Sequence, residues 1–581
     1  MTGSLRGRAL LFAATAVGIA AVALPAVGTA AGAVGFGAPA FVDAVRAGGE
    51  PLIWHSSKFG DLVYSSHEGT THLDRNGLSG PGSVQQFLCP GLTTADCYKN
   101  HVWIWTSNDK GRTWTLRDEG LSYTGFSDPD LTEDASGAIY DTGIDLANDS
   151  LFSSPDGGIT WPTGTAQCHE GDRPWLAGGV AGEVFLSTDA DTSSGTVHTV
   201  YHSSNYGASC DSTGIADKGT MPDGKTTWSG FGKMVYDRFD GSIVEPARFN
   251  HTDGTTGVGI SRLANARAAF AAGSGTFQPV EVVDNTTVFS PFGVPEIVTM
   301  DPAENIYFAW DTDPRDANGT GGCNTTLSQP IQGGGPTPLP NQILFVSGKH
   351  VGSGHWQFSA PLSLAHQGNA RVLWPWSVTG SPGNVSVVWY QMDKMVDPDC
   401  DLYNGQAVPD VKTYIYEAHI TSAADPATRQ VAVTNASGRF VHQGGICDSG
   451  TTCVATGQDR RLGDYFTNAI DGSGCVIIAS GDTTQPDSIS GQDRVTSLPI
   501  FIRQNSGPSL TGQDCSASSG TQGASASSPA SVPRVVASVT PNTSRGLPIG
   551  LVLPILLITI LSAALARLRG AAVALRGDST D

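Results

Sequence analysis

Several chemistries are missing from this 581-residue chain before any is found. Charge is sparse: 15% of residues are Asp, Glu, Lys or Arg, and 33 basic residues face 54 acidic ones, a formal net charge of −21. Binding nucleic acid needs clustered Lys and Arg to displace phosphate counterions, so this balance argues against nucleic acid as a partner. No Cys-x-x-Cys pair occurs, which argues against a zinc cluster, and there is no H-E-x-x-H helix or G-x-S-x-G elbow. Met (6 residues), Lys and Glu are scarce, while Gly (72), Ser, Thr, Val and Trp are plentiful. That composition suits short strands and turns better than helices. What is not missing is core: at 39% hydrophobic the chain is too apolar to be disordered throughout and too long for a disulfide-stapled mini-protein.

The two ends place the body outside the cytosol. Arg6 and Arg8 precede an apolar run over Ala9–Leu24, and Ala31-Gly32-Ala33 follows, which predicts a secretory signal peptide over residues 1–33. Leu547–Ala566 is a twenty-residue stretch without charge, long enough to cross ~30 Å of hydrocarbon. Arg567, Arg569 and Arg576 follow it and predict a cytoplasmic tail over 567–581. A stalk rich in Ser, Gly, Thr and Pro fills residues 506–545. The expected location is the outer side of a plasma membrane, held by one C-terminal helix, and the Ala- and Gly-heavy composition suggests a bacterial source. Ten cysteines fit an exported chain; Cys89–Cys97 and Cys447–Cys453 are the expected disulfides from separation alone, with Cys168–Cys210 as a third. Asn250, Asn285 and Asn435 head N-x-[ST] sequons, which matter only in a host that glycosylates exports.

The interior repeats itself. Ser107-Asn-Asp109-Lys-Gly111-Arg-Thr113-Trp114 and Ser154-Pro-Asp156-Gly-Gly158-Ile-Thr160-Trp161 share S-x-D-x-G-x-T-W at every defined position. Weaker copies read Ser65, His67, Gly69, Thr71, His72 and Ser203, Asn205, Gly207, Ser209, Cys210, with eroded tails at Gly275–Phe277 and His355-Trp356. Starts at 65, 107, 154 and 203 lie 42, 47 and 49 residues apart, the length of a four-stranded propeller blade. In such a corner the Asp accepts backbone N–H bonds, Gly takes positive φ and the Trp packs between sheets, so these residues read as structural. A second element also recurs: a polar or Pro-marked start, an apolar stretch, a Gly/Asp turn and another apolar strand. It is found at 128–140, 172–185, 294–307, 371–385 and 461–476, more weakly at 231–244, and first near Leu52. Each copy reads as the inner hairpin of a blade. The expected fold is all-β: a propeller of six to eight blades, seven by this count, over residues 50–505.

On these residues the chain resembles the sialidase-like Asp-box (BNR-repeat) β-propeller superfamily. The resemblance implies a site where the inner strands start, with arginines holding a substrate carboxylate, a Tyr nucleophile and an Asp acid/base. Arg173, Arg371 and Arg461 start inner strands and fit the clamp, because guanidinium forks suit carboxylates. Tyr465 is the nucleophile candidate, and Asp172, Asp128 and Asp464 are the acid candidates. The structural alternative is that these arginines pair with Asp172, Asp459 or Asp464. The implied function is a cell-surface sialidase-like glycoside hydrolase acting on glycans. The alternative is a non-catalytic envelope propeller that binds glycan or an extracellular protein. No cofactor is expected to be required, but Asp397, Asp399 and Asp401 stand at alternate positions and could hold Ca²⁺. Gly219–Thr226 matches the phosphate-loop pattern letter for letter, but no helix signal follows, so it reads as a turn.

Overall fold

The computed structural model describes residues 33–44, 46–67, 102–117, 127–144, 148–192, 195–284, 297–311, 342–366, 371–393, 411–446, 459–485 and 496–518. The signal segment up to residue 32, most of the stalk, the Leu547–Ala566 span and the tail lie outside them. So do Asp397, Asp399 and Asp401, the loop over 312–340, and Cys89, Cys97, Cys323, Cys400, Cys447 and Cys453. Among the described residues no helix is long and apolar enough to cross a membrane.

The strands form seven antiparallel sheets, and the fold is a seven-bladed propeller. Each blade opens with an inner strand followed by a hairpin partner. These pairs are Gly49–His55 with Leu62–His67, Ser127–Glu133 with Ile139–Ile144, and Asp172–Gly178 with Val184–Thr192. Blades 4 to 7 begin with Val235–Tyr236 against Ile243–His251, Val298–Met300 against Ile306–Asp311, Val372–Thr379 against Val385–Met392, and Thr467–Ile470 against Val476–Asp482. These are the seven recurring hairpins expected from the sequence. The second strands are buried on both faces, as in Leu62–His67 and Val385–Met392, because each sheet is covered by a blade on either side. The core therefore lies between blades, in clusters such as Ile53, Tyr64, Trp105, Ile477 and Phe501.

The Ser–Asp–Gly–Trp corners join third to fourth strands in blades 1 and 2. Asp109 Oδ1 accepts from Thr113 N at 2.9 Å and Arg112 N at 3.0 Å, and Thr113 Oγ1 donates to Oδ2 at 2.6 Å. Gly111 N donates to Ser107 Oγ at 2.9 Å. Asp156 repeats the pattern with Thr160 N at 2.8 Å and Thr160 Oγ1 at 2.7 Å, and Gly158 N donates to Ser154 Oγ at 2.8 Å. The weaker Ser203 copy keeps it in blade 3, with Asn205 accepting from Ser209 N at 3.1 Å. Each corner is pressed against the preceding blade. A Cβ on Gly111 would strike Phe501, on Gly158 Val63, and on Gly207 Leu151, and all three glycines have positive φ. Trp114 packs edge-on to Phe501 with ring centroids 5.4 Å apart.

The Ser65 copy is a correction. Ser65 and His67 lie within the second strand of blade 1, where Ser65 bonds Asp141 and His67 bonds Glu50. Spacing matched the repeat, but strand position did not. In blade 4 the third-to-fourth connection instead carries a short helix, Ala266–Ala271, before the buried Phe277.

Two further features close the ring. Gly35–Phe36 and Ala40–Phe41 pair with Leu498–Ser506, so residues from the start of the described chain complete the last blade. Disulfides join Cys168 to Cys210, the third pair expected from the sequence, and Cys475 to Cys515. The phosphate-loop lookalike is a hairpin turn: Lys218–Thr220 pairs with Thr226–Gly230, and Asp223 caps it from Lys225 N at 2.8 Å.

Candidate functional site

The inner strands share an irregular start. Glu50, Asp128, Arg173 and Trp374 have φ of 46, 49, 61 and 53°, and each is followed by proline. Each stands five residues before the last paired residue of its inner strand, respectively His55, Glu133, Gly178 and Thr379, and each sits in a register shift. Proline removes a ladder donor and the bulge tilts the preceding side chain out of the sheet. A non-glycine residue in the left-handed region costs roughly 1–3 kcal/mol, so four such residues at one end of a ring mark stored strain. Tyr465 stands at the same step of blade 7, five before Ile470.

Charge concentrates at this end. Glu50 is fully buried; its Oε2 contacts His67 Nε2 at 2.8 Å and its Oε1 accepts from Asp464 N at 3.0 Å. Arg173 Nη2 donates to Asp464 Oδ2 at 3.3 Å, and its guanidinium lies 5.5 Å from the Phe231 ring centre. Arg460 Nη2 donates to the same Asp464 oxygen at 2.7 Å, while its Nε and Nη1 have no hydrogen-bond partner among the described residues. Burial, reinforced by the nearby Glu50 and Asp172 carboxylates, pushes the Asp128 carboxyl well above the usual carboxylate range, against the pull of Ser127 and Arg173. Asp172 is exposed over part of its surface yet its carboxyl is crowded by neighbours; that partial desolvation outweighs Arg173 and raises its carboxyl too.

The candidates from the sequence therefore divide. Asp128, Asp172, Arg173 and Asp464 are brought into one electrostatic cluster from blades 2, 3 and 7. Tyr465 joins it in place but not in readiness. Its hydroxyl donates to the Pro129 carbonyl at 2.7 Å, and burial, with Glu50 and Asp128 beside it, drives the phenol well above its ordinary value. An activated nucleophile needs the opposite shift. Arg461 is paired with Asp459: its Nε and Nη2 grip that carboxylate at 2.6–3.1 Å, and its Nη1 reaches the Thr483 carbonyl at 3.5 Å. Burial would raise Asp459, but Arg461 and His442 outweigh it and hold that carboxyl below its usual range. Arg371 is buried at the start of the blade 6 inner strand, three residues before Trp374. The pairings Arg173–Asp464 and Arg461–Asp459 are those of the structural alternative.

Three members escaped sequence reading: Glu50, His67 and Arg460. Glu50 could have been found as the charged residue before proline in blade 1, the position Asp128 and Arg173 hold in blades 2 and 3. Below the charges, Trp175, Trp376 and Tyr465 pack ring to ring, with centroids 5.1–5.9 Å apart. Lys233 ties blades 2, 3 and 4 there, bonding Asp130 and the carbonyls of Leu131 (3.0 Å) and Leu176 (3.1 Å). A cavity of about 240 Å³ continues along the axis beyond this layer, lined by the later residues of all seven inner strands, including Trp54, Glu133, Met300 and Val378. Its walls are mainly strand edges and apolar groups; the titratable cluster lies at the other end.

No family model matches the chain, and no curated protein matches it. Among solved structures the chain is similar to a PL25 ulvan lyase, at 12% identity and a TM-score of 0.39 over 82% of this chain and 96% of that one. It is similar to a Penicillium chrysogenum α-L-arabinanase, at 11% and 0.31 over 82% and 98%, and to a Trypanosoma rangeli sialidase, at 11% and 0.31 over 79% and 55%. Likenesses at this level leave any activity to be argued from the side chains. The architecture itself is a seven-bladed propeller whose blades 1 to 3 carry the recurring Ser–Asp/Asn–Gly corner.

Proposed function

We propose that the strand-start funnel is a glycan-processing site of glycoside hydrolase type, with Asp128 as proton donor. The observation that carries this reading is Asp128 itself: left-handed, half-buried, its carboxyl pushed well above the ordinary range by desolvation, and near a second carboxyl, Asp172. A carboxylic acid kept neutral can protonate a glycosidic oxygen, while a neighbouring carboxylate steadies the positive charge that develops on the sugar. Arg173 and Arg460 supply donors to sugar hydroxyls or to an acidic substituent. The more specific sialidase version needs three guanidiniums around one carboxylate. Arg461 is spent on Asp459, so that version requires Arg371 to join Arg173 and Arg460. The two disulfides support an exported body, and Leu547–Ala566 would anchor it.

The test is turnover of a panel of neutral and acidic glycosides, sialosides included. The parent should hydrolyse at least one, and Asp128→Asn should lose about 10²–10⁴-fold in rate while still binding the sugar. The paired state of Arg173 and Asp464 favours a second reading, a propeller that binds glycan or an extracellular protein without turnover. Binding by the parent with no hydrolysis across the panel selects that reading.

A further inference from the structure

We propose that blades 6 and 7 enclose a site for one divalent transition-metal cation, made by Glu417, His419 and Asn468. Glu417 and His419 stand two residues apart on the strand Lys412–Thr421, so both project from the same face of blade 6. Asn468 comes from the inner strand of blade 7. Their exposures are 0%, 1% and 4%. Ser386 links them: its Oγ donates to Glu417 Oε1 at 2.7 Å and accepts from Asn468 Nδ2 at 3.1 Å.

After those bonds are made, Glu417 Oε2, Asn468 Oδ1 and both ring nitrogens of His419 have no hydrogen-bond partner among the described residues. Buried polar atoms are nearly always satisfied, and a buried carboxylate needs a positive charge as well as donors. Among the described residues no Lys or Arg pairs with Glu417. His419 Nδ1 and Glu417 Oε1 are 3.6 Å apart, too far for a hydrogen bond. Two ligands each about 2.1 Å from a shared ion at a tetrahedral angle stand roughly 3.4 Å apart. A cation between them would answer the carboxylate charge, an imidazole lone pair and the amide oxygen together. One nitrogen and two oxygen donors suit a borderline ion such as Zn²⁺ better than Ca²⁺, which prefers oxygen throughout. The site is separate from the funnel and would pin blade 6 to the blade that closes the ring.

The experiment measures metal in untagged protein by inductively coupled plasma mass spectrometry after dialysis against Zn²⁺. One Zn²⁺ per chain is expected. Glu417→Gln and His419→Gln should each lower it at least tenfold, while His355→Gln, at an exposed histidine, should not. If the buried variants do not fold, the parent alone decides. After stripping with chelator, Zn²⁺ at a hundredfold excess over its dissociation constant should raise the melting temperature by roughly 5 °C. A metal-free parent with an unmoved melting temperature would overturn the proposal and leave ordered water as the partner of these atoms. So would Zn²⁺ retained in both buried variants.

Discussion

The two ends of the propeller treat their carboxyl groups in opposite ways. At the corner end glycines take left-handed positions at Gly111, Gly158 and Gly207, beside left-handed turn residues such as Lys110 and Tyr206, and each Asp is surrounded by donors. Burial would raise Asp109 and Asp156, but their bonds to Thr113, Thr160 and the serines win, and both carboxyls lie below their usual range. At the funnel end, left-handed positions are held by Glu50, Asp128, Arg173 and Trp374, and Asp128 and Asp172 are raised. At one end the carboxylates of Asp109 and Asp156 are ringed by donors and held low. The other gathers left-handed residues before prolines around raised carboxyls, which is where chemistry is expected.

This contrast can be broken by mutation. The largest expected effect is on rate: Asp128→Asn should cost about 10²–10⁴ in kcat/KM on a responsive glycoside. The parent's rate should fall as pH rises through the elevated Asp128 pKa, because only the protonated form donates; a pH–rate profile checks this. Next come stability effects at the corner end. Gly158→Ala puts a Cβ 2.8 Å from Val63 Cγ2 at a φ of 90°, and should destabilise by about 1–3 kcal/mol in urea unfolding without touching the rate. Tyr140→Phe removes a 2.9 Å bond to Asp134, the turn residue that also accepts from Gly182 N of blade 3 at 2.7 Å. That loss should be about 1–2 kcal/mol. The smallest effect has the reverse sign: Asp128→Gly relieves a left-handed side chain and should stabilise by about 1 kcal/mol while abolishing turnover.

Acid sharpens the comparison further. Asp109 and Asp156 are depressed in the folded state, so their contribution is present above the unfolded carboxylate value and is lost as pH falls through the folded one. Asp128 is raised, so its contribution runs the other way: the folded state keeps a proton that the unfolded state loses, and stability falls as pH rises between the two values. In Asp128→Asn, unfolding free energy measured against pH should lose the second slope and keep the first.

What could be read from the sequence follows from how local each feature is. The corners are written in eight consecutive residues and the inner hairpins in about fifteen, so the blade count of seven was within reach. The pairing of Ser65 and His67 with the wrong element shows the limit: matching letters fixed a spacing, not a place in the blade. The funnel is assembled from residues up to 414 apart, as in the bond from Asp464 to Glu50, and no window contains both. Arg460 and Arg461 are adjacent, yet one reaches Asp464 and the other Asp459; only the path of the backbone decides which enters the cluster. The N-terminal strand that completes blade 7 is two short pairs of residues, Gly35–Phe36 and Ala40–Phe41, too brief to show a period.

The most direct measurement sets Asp128→Asn beside Asp156→Asn and records turnover and unfolding free energy for both. Loss of rate with stability kept in the first, and loss of stability with rate kept in the second, is the outcome that opposed ends require. If Asp156→Asn stops turnover, or Asp128→Asn leaves it intact, the division between a structural rim and a reactive one is wrong.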